Sequence, residues 1–131
     1  MERLGEPVGF TGGGDGGRRA RRAVRERAAK VLTDETLLDD IELMTAEGVA
    51  NAVLHGSGLI SVTVATDGRR LRVEVCDDGP AAREPRGRAR VDHGRGLTVI
   101  DALAGEWGLD QTPSRTRLWF LVDVRRPPSG V

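Results

Sequence analysis

Residues 46–56 read AEGVANAVLHG, and this stretch places Glu47, Asn51 and His55 four residues apart within a helical pattern. Residues at this spacing share one face of an α-helix. The carboxamide oxygen of Asn51 can coordinate a hard cation, while the carboxylate of Glu47 can take a proton from an incoming hydroxyl. The alternative, which is the more common one for such residues taken alone, is a solvated stripe beside the core.

A second motif follows at residues 70–80, where an alternating strand pattern ends in Asp-Asp-Gly-Pro. Asp77 continues the inward phase of the strand, so its carboxylate needs a partner inside the protein. An adenine amino group would satisfy it, and Gly79 would let a flat base approach the backbone. The alternative for these residues in isolation is a turn that closes a strand.

The third motif is the sequence DHGRGLTVIDAL at residues 92–103, in which two glycines lead into an apolar helical pattern. Gly94 and Gly96 allow backbone N–H groups to converge on an anion, and Arg95 could add positive charge. This is the outline of a phosphate-binding loop. A flexible loop before a helix is the alternative.

In order and spacing, the three motifs resemble those of the small Bergerat-fold (GHKL-type) ATPases related to anti-sigma factor serine/threonine kinases. The family's N box corresponds to residues 47–55, its adenine box to residues 77–80 and its phosphate-loop box to residues 94–97. The resemblance extends over nearly the whole chain, since Thr116 also matches the family's final threonine-containing strand.

The resemblance implies that the chain binds ATP and Mg²⁺. Asn51 would hold the Mg²⁺ that bridges the nucleotide phosphates, and Glu47 would be the general base for a protein serine or threonine hydroxyl. Asp77 would accept a hydrogen bond from the adenine amino group. The other nucleotide-binding residues that the resemblance implies are Gly79, Gly94, Arg95, Gly96, Leu97 and Thr116.

Three functions are compatible with these motifs. The first hypothesis is a regulatory protein serine/threonine kinase that is also an anti-sigma factor, binding an RNA polymerase sigma factor and phosphorylating a STAS-type anti-anti-sigma partner. The second is a non-catalytic, nucleotide-dependent protein-binding module, which is favoured by Asp92 and His93 where kinases of this family carry an arginine. The third is the catalytic lobe of a histidine kinase, which ranks last because no dimerisation helix with a phosphorylatable histidine is recognisable. A homodimer is expected by resemblance alone.

Composition and charge limit which ligands and which cellular compartment are expected for the protein. The 131 residues carry 20 basic and 20 acidic side chains, so net charge offers no case for nucleic acid as the main ligand. No apolar run reaches the roughly 20 residues of a membrane span, and no signal peptide is recognisable. A single cysteine, Cys76, predicts a buried thiol in a reducing, cytoplasmic setting. Lys30 is the only lysine beside many arginines, a bias that suggests an actinobacterium.

The periodicity predicts an α/β two-layer sandwich, in which a mixed, mostly antiparallel sheet is covered by helices on one face. We expect an N-terminal strand and glycine-rich flexible segment at 1–17, a histidine kinase-like ATPase domain at 18–124 and a frayed tail at 125–131. Within the domain, the predicted helices are 18–32, 35–55 and 97–107, and the predicted strands are 59–66, 70–77 and 117–124. Residues 81–93, which lie between the adenine box and the phosphate loop, resemble the family's ATP lid.

Overall fold

The computed structural model describes residues 1–80 and 97–124. Three helices and six strands follow one another along these residues. In chain order they are β1 (Glu2–Arg3), β2 (Val8–Phe10), α1 (Gly16–Ala28), α2 (Glu35–His55), β3 (Ile60–Thr66), β4 (Arg70–Asp77), α3 (Thr98–Leu103), β5 (Glu106–Thr112) and β6 (Arg115–Asp123). The predicted lid at 81–93, the glycine-rich loop residues Gly94, Arg95 and Gly96, and the tail at 125–131 lie outside the described residues.

The strands form one six-stranded sheet in the order β1-β3-β4-β6-β5, and β2 also pairs with β3. Every described pair is antiparallel. Strands β3 and β4 form the predicted hairpin, in which the Asp67 carboxylate accepts backbone N–H bonds from Arg69 and Arg70 at 2.9 and 2.8 Å. Gly68 has a φ of +90° in this turn, a conformation that favours glycine.

Helices α1 and α2 cover one face of the sheet, and the core lies between the two layers. Strands β3, β4 and β6 bury alternate residues in that core, as in β4, where Leu71, Val73 and Val75 are buried. The buried residues of α1 recur every four positions, so they form one helical face. The predicted fold class, an α/β two-layer sandwich with helices on one face, is confirmed.

Polar contacts cap the start of helix α2, which carries the first motif, and connect it to α1. Asp34 is its N-cap, and the Asp34 carboxylate accepts the backbone N–H of Leu37 at 3.1 Å. Arg25 of α1 reaches across to the first turns of α2, where its guanidinium donates to Asp39 at 2.7 Å and to Glu35 at 2.8 Å. These contacts join α1 to the N-terminal half of α2. Among the described residues, no helix is long and apolar enough to cross a membrane.

The predicted helix at 97–107 is wrong beyond Leu103. Ala104 adopts an extended conformation, and the backbone N–H of Gly105 donates to the carbonyl of Leu121 in the neighbouring strand. Residues 106–112 are therefore the edge strand β5, which pairs with β6 along its whole length. Tertiary pairing with β6 outweighs the local helical pattern here. At the other end of the chain, the predicted flexible segment overlaps α1, which already begins at Gly16.

Candidate functional site

The C-terminal half of α2 carries the three polar residues of the first motif, of which Glu47 and Asn51 are the predicted site residues. Asn51 is only 3% exposed, and its Oδ1 atom has no hydrogen-bond partner among the described residues. Glu47 lies one turn earlier and is half-buried, again without a hydrogen bond or ion pair to a described residue. Two chemically capable side chains thus lie one turn apart on α2, and the Asn51 oxygen is buried without a partner among the described residues.

An orphaned amide oxygen is unusual, because a buried acceptor without a partner costs about 1–3 kcal/mol. The Asn51 oxygen would be satisfied by a hard cation, for which amide and carboxylate oxygens are suitable ligands. No group of three or more acidic, histidine or cysteine residues in the described part of the chain is arranged to hold a metal ion. That is compatible with Mg²⁺, which is commonly held by one or two protein oxygens together with substrate phosphates and water. The residues present therefore fit a Mg²⁺ site shared with a phosphate ligand.

Gly48 brings this part of α2 close to the sheet. A Cβ atom at Gly48 would lie 3.0 Å from Cδ2 of Leu118 and 3.3 Å from Cγ2 of Val75. Those two residues are each two positions from a predicted adenine-binding residue, Thr116 on β6 and Asp77 on β4. The glycine inside the helix thus shortens the distance between the α2 motif and the adenine box.

Asp77 ends β4 with its side chain on the helix-covered side of the sheet, where the residue is 5% exposed. Its Oδ1 accepts the backbone N–H of Gly79 at 2.8 Å. Burial raises the pKa of Asp77 above its ordinary value, while the hydrogen bonds with Gly79 and with the Thr116 side chain oppose that rise. The carboxylate is therefore oriented by neutral donors and is not neutralised by a cationic partner among the described residues.

The turn that follows α2 holds the adenine box in place. The Ser57 carbonyl accepts the backbone N–H of Asp78 at 2.9 Å, and the Ser57 hydroxyl donates to the carbonyl of Gly79 at 3.0 Å. A Cβ atom at Gly56 would collide with the Asp77 carboxylate, so only glycine leaves room for it. The sequence analysis missed this contribution. The signal was present in the Gly-Ser-Gly run at 56–58, which is typical of a turn with close backbone approach.

Gly79 occupies a backbone position at which a side chain would not fit. Its φ is +104°, and a Cβ atom there would lie 2.5 Å from the carbonyl oxygen of Pro113 in the β5–β6 turn. The adenine box therefore lies directly against that turn. A side chain at this position would strain the backbone and displace the neighbouring turn.

Thr116 is the cross-strand partner of Asp77 and is 3% exposed. On its other side, the Thr116 hydroxyl oxygen accepts from Nε2 of Gln111 at 3.2 Å. The sequence analysis missed Gln111 because it did not recognise β5. The signal was the alternation in residues 107–112, followed by a Pro-Ser turn and a second alternating run.

Leu97, the last of the predicted site residues that can be located, is 7% exposed and is the N-cap residue of α3. Helix α3 lies against α2. The end of α2 meets the end of β4 where Gly56 approaches Asp77, and α3 packs against the same helix. Gly94, Arg95 and Gly96 belong to the undescribed part of the chain.

A cavity of about 380 Å³ opens mainly on the opposite face of the sheet, lined in part by Glu74, Cys76 and Arg115. The cavity adjoins the candidate site at the end of β4, because Asp77 also lines it, whereas Glu47 and Asn51 do not. Cys76 is half-buried there, and burial raises the pKa of its thiol. The expectation of a fully buried thiol is wrong, because alternation along β4 turns Cys76 outward when Asp77 points inward.

Comparison with known proteins identifies a family that the chain matches. Residues 17–122 match the model of a histidine kinase-like ATPase domain. The chain is 32% identical over 84 residues to an anti-sigma F factor of Clostridium acetobutylicum, an alignment that covers 53% of this chain and 59% of that protein.

Two solved structures are similar in fold. One contains the RsbU and RsbW domains of Rv1364c from Mycobacterium tuberculosis, with a TM-score of 0.71 and 26% identity, over 94% of this chain and 33% of that chain. The other is the Acinetobacter baumannii histidine kinase AdeS, with a TM-score of 0.54 and 16% identity, over 92% of this chain and 68% of that chain. The second similarity concerns the fold alone. The predicted resemblance to the anti-sigma factor kinases is confirmed by the family match and by the first two relatives.

Proposed function

The chain belongs to the histidine kinase-like ATPase domain family, and on that premise we propose that it is an ATP-binding protein serine/threonine kinase and anti-sigma factor. The observation that carries the proposal is the orphaned Asn51 oxygen one helical turn from Glu47, on a helix whose end touches the Asp77 carboxylate. A kinase needs a metal ligand, a base and a nucleobase acceptor, and this arrangement offers one of each.

In the proposed site, Asp77 accepts the adenine amino group and so fixes the nucleotide against the end of β4. Asn51 contributes its side-chain oxygen to Mg²⁺, which when bound would neutralise charge on the phosphates. The phosphate-loop residues Gly94, Arg95, Gly96 and Leu97 belong to the same proposal.

Glu47 takes the proton from the hydroxyl of the protein substrate as the hydroxyl oxygen bonds to the terminal phosphorus of ATP. The bond from that phosphorus to the bridging oxygen breaks in the same step, and ADP leaves. A half-buried carboxylate without a partner among the described residues is suited to this role, because no cation there competes for it. The residues act by positioning and by charge, which is what phosphoryl transfer mainly asks of a protein.

The proposed partners follow from the names of the relatives, one of which is an anti-sigma F factor and another of which contains an RsbW domain. We propose that the chain acts in the cytoplasm, binds an RNA polymerase sigma factor, phosphorylates a STAS-domain anti-anti-sigma factor and forms a homodimer. The chain spans about 59% of the first relative's length and 33% of the second, so activity and partners are proposals drawn from domain-level similarity.

The proposal is tested by incubating the protein with Mg-ATP and a candidate STAS protein and measuring phosphate on its serine and threonine residues by mass spectrometry. Glu47→Gln should abolish transfer and leave Mg-ATP affinity near that of the wild type. Asp40→Asn, which changes a carboxylate of the same helix outside the site, should leave both unchanged. Transfer that persists at the wild-type rate in Glu47→Gln would refute the assignment of the base.

A non-catalytic binding module is the second candidate, favoured by Asp92 and His93 ahead of the phosphate loop. In that case ATP binding would alter the affinity of the protein for a sigma factor, and no phosphate would be transferred to a partner. Wild-type protein that binds Mg-ATP and a sigma factor, yet phosphorylates no STAS protein, would support this candidate over the kinase. Analytical ultracentrifugation of the same sample tests the homodimer.

A further inference from the structure

We propose that an exposed apolar ridge on α2, beside Glu47, is the docking surface for the protein that receives the phosphate. The ridge consists of Leu43, Ala46, Ala50 and Leu54. The inference rests on the proposed kinase function and adds to it the chemistry by which the substrate protein is held. That protein presents an apolar surface next to its serine or threonine.

The residues of the ridge share one side of α2. They are spaced by three or four positions, so their side chains follow one another along the helix surface. Leu43 is 49% exposed and Leu54 is 72% exposed, and the two alanines between them are half-buried or exposed. The opposite side of the helix, which includes Ile41 and Ala52, is buried in the core.

The second half of α2 is therefore apolar on both its buried and its exposed side. A helix that covers a sheet normally turns polar or charged residues to solvent. The first half of α2 does so through Glu35, Thr36 and Asp39, which are all exposed. The second half turns Leu43 and Leu54 to solvent instead. Clustered apolar side chains with a polar border are typical of a surface that binds another protein.

The position of Glu47 identifies which protein covers the ridge. Glu47 is half-buried and lies one turn from Leu43 and one turn from Ala50. A serine or threonine hydroxyl lies close to its own backbone, so a polypeptide that brings this hydroxyl to Glu47 must pass over the adjacent turns of α2. The same polypeptide removes the leucine side chains from water, and this burial favours the complex.

Two other occupants fit the ridge less well. A second copy of this chain, if permanently bound there, would cover Glu47 and close the site to a protein substrate. Residues 81–93 contain four arginines and a single branched aliphatic residue, Val91, so this segment has little apolar surface with which to cover the leucines. A substrate protein that binds and then leaves after phosphate transfer meets both conditions.

The test compares the affinity of ridge variants for a STAS protein, using the full chain with Mg²⁺ and a non-hydrolysable ATP analogue in titration calorimetry. Leu43→Ser and Leu54→Ser each remove an exposed apolar side chain and leave Glu47 unchanged. We expect each to raise the Kd for the STAS protein about tenfold. With ATP, the KM for the STAS protein should rise by the same factor, and kcat and the Kd for Mg-ATP should stay near those of the wild type.

Leu59→Ser is the matched control. Leu59 is 54% exposed, yet it lines the cavity that opens mainly on the opposite face of the sheet. This variant should bind the STAS protein as the wild type does. Circular dichroism shows whether each variant is folded, and either ridge variant decides the question if the other is not.

Several outcomes would overturn the inference. One is an unchanged Kd for the STAS protein in both ridge variants, and another is an equal loss of affinity in Leu59→Ser. Dissociation of a homodimer in the ridge variants, measured by analytical ultracentrifugation, would assign the ridge to a second copy instead. Wild-type protein that binds the STAS protein without phosphorylating it would refute the proposed kinase activity, and the Kd comparison would still decide the docking surface. Wild-type protein that binds no STAS protein would refute both.

Discussion

Asn51→Leu should stabilise the nucleotide-free protein while removing its response to Mg²⁺. The Asn51 side chain is nearly fully buried with an orphaned oxygen, and leucine has a similar shape with no polar atom. An unsatisfied buried acceptor costs about 1–3 kcal/mol, part of which is offset by whatever the amide N–H groups contribute. We therefore expect the free energy of unfolding to rise by about 1–2 kcal/mol. For a domain of this size, that corresponds to roughly 4–8 °C in Tm.

Thermal unfolding followed by circular dichroism, with and without Mg-ATP, measures both effects. Saturating ligand at a hundredfold excess over Kd should stabilise the wild type by about 2.7 kcal/mol, and the part of this that depends on Mg²⁺ should disappear in Asn51→Leu. Thr45→Val is a matched control on the same helix, because it removes a buried hydroxyl that donates to the Ile41 carbonyl at 2.8 Å. Thr45→Val should not raise the free energy of unfolding. A variant that loses stability at Asn51 would show that the oxygen is satisfied in solution, and the argument for a metal ligand would fail.

Three further results are expected. Gly56→Ala should weaken ATP binding about tenfold, because the added Cβ displaces the Asp77 carboxylate. Gly9→Ala is the control, since a Cβ there makes ordinary contacts, and it should leave the Kd for ATP measured by calorimetry unchanged. ATP affinity should fall as pH drops through the pKa of Asp77, which burial raises from its ordinary value, since adenine needs the ionised acceptor. A titration that shows the same pH response in Asp77→Asn would contradict this. Gly48→Leu should lower the free energy of unfolding in urea by about 1–3 kcal/mol, because a Cβ there already lies 3.0 Å from Leu118, and an unchanged midpoint would mean that α2 can move away from the sheet.

The parts of the fold that could be predicted from sequence are those whose signal is local. Helix α2 follows from its periodicity and its Asp34 cap, and the β3–β4 hairpin follows from two alternating runs around Asp67-Gly68. Both are made mainly by residues that are close in the chain. Their predicted bounds differ from the observed ones by no more than one residue.

Strand β5 shows where local pattern was insufficient. Residues 97–107 contain helix-forming residues, yet the chain leaves the helix after Leu103 because Gly105 and the residues after it pair with β6. The pairing depends on a strand that comes later in the chain. It brought Gln111 beside Thr116, so the error in secondary structure concealed a residue of the site.

The sequence by itself determined the chemistry available to this protein, because Glu47, Asn51 and Asp77 are recognisable from residue type and spacing. Only the tertiary structure decided how those groups are presented. Whether an amide oxygen has a partner, whether a glycine faces a carboxylate and which hydroxyl lies beside Asp77 are all consequences of contacts between segments far apart in the chain. Such contacts arise from the register of strands and from the close approach of α2 to the sheet, and neither leaves a periodic signal in a single segment.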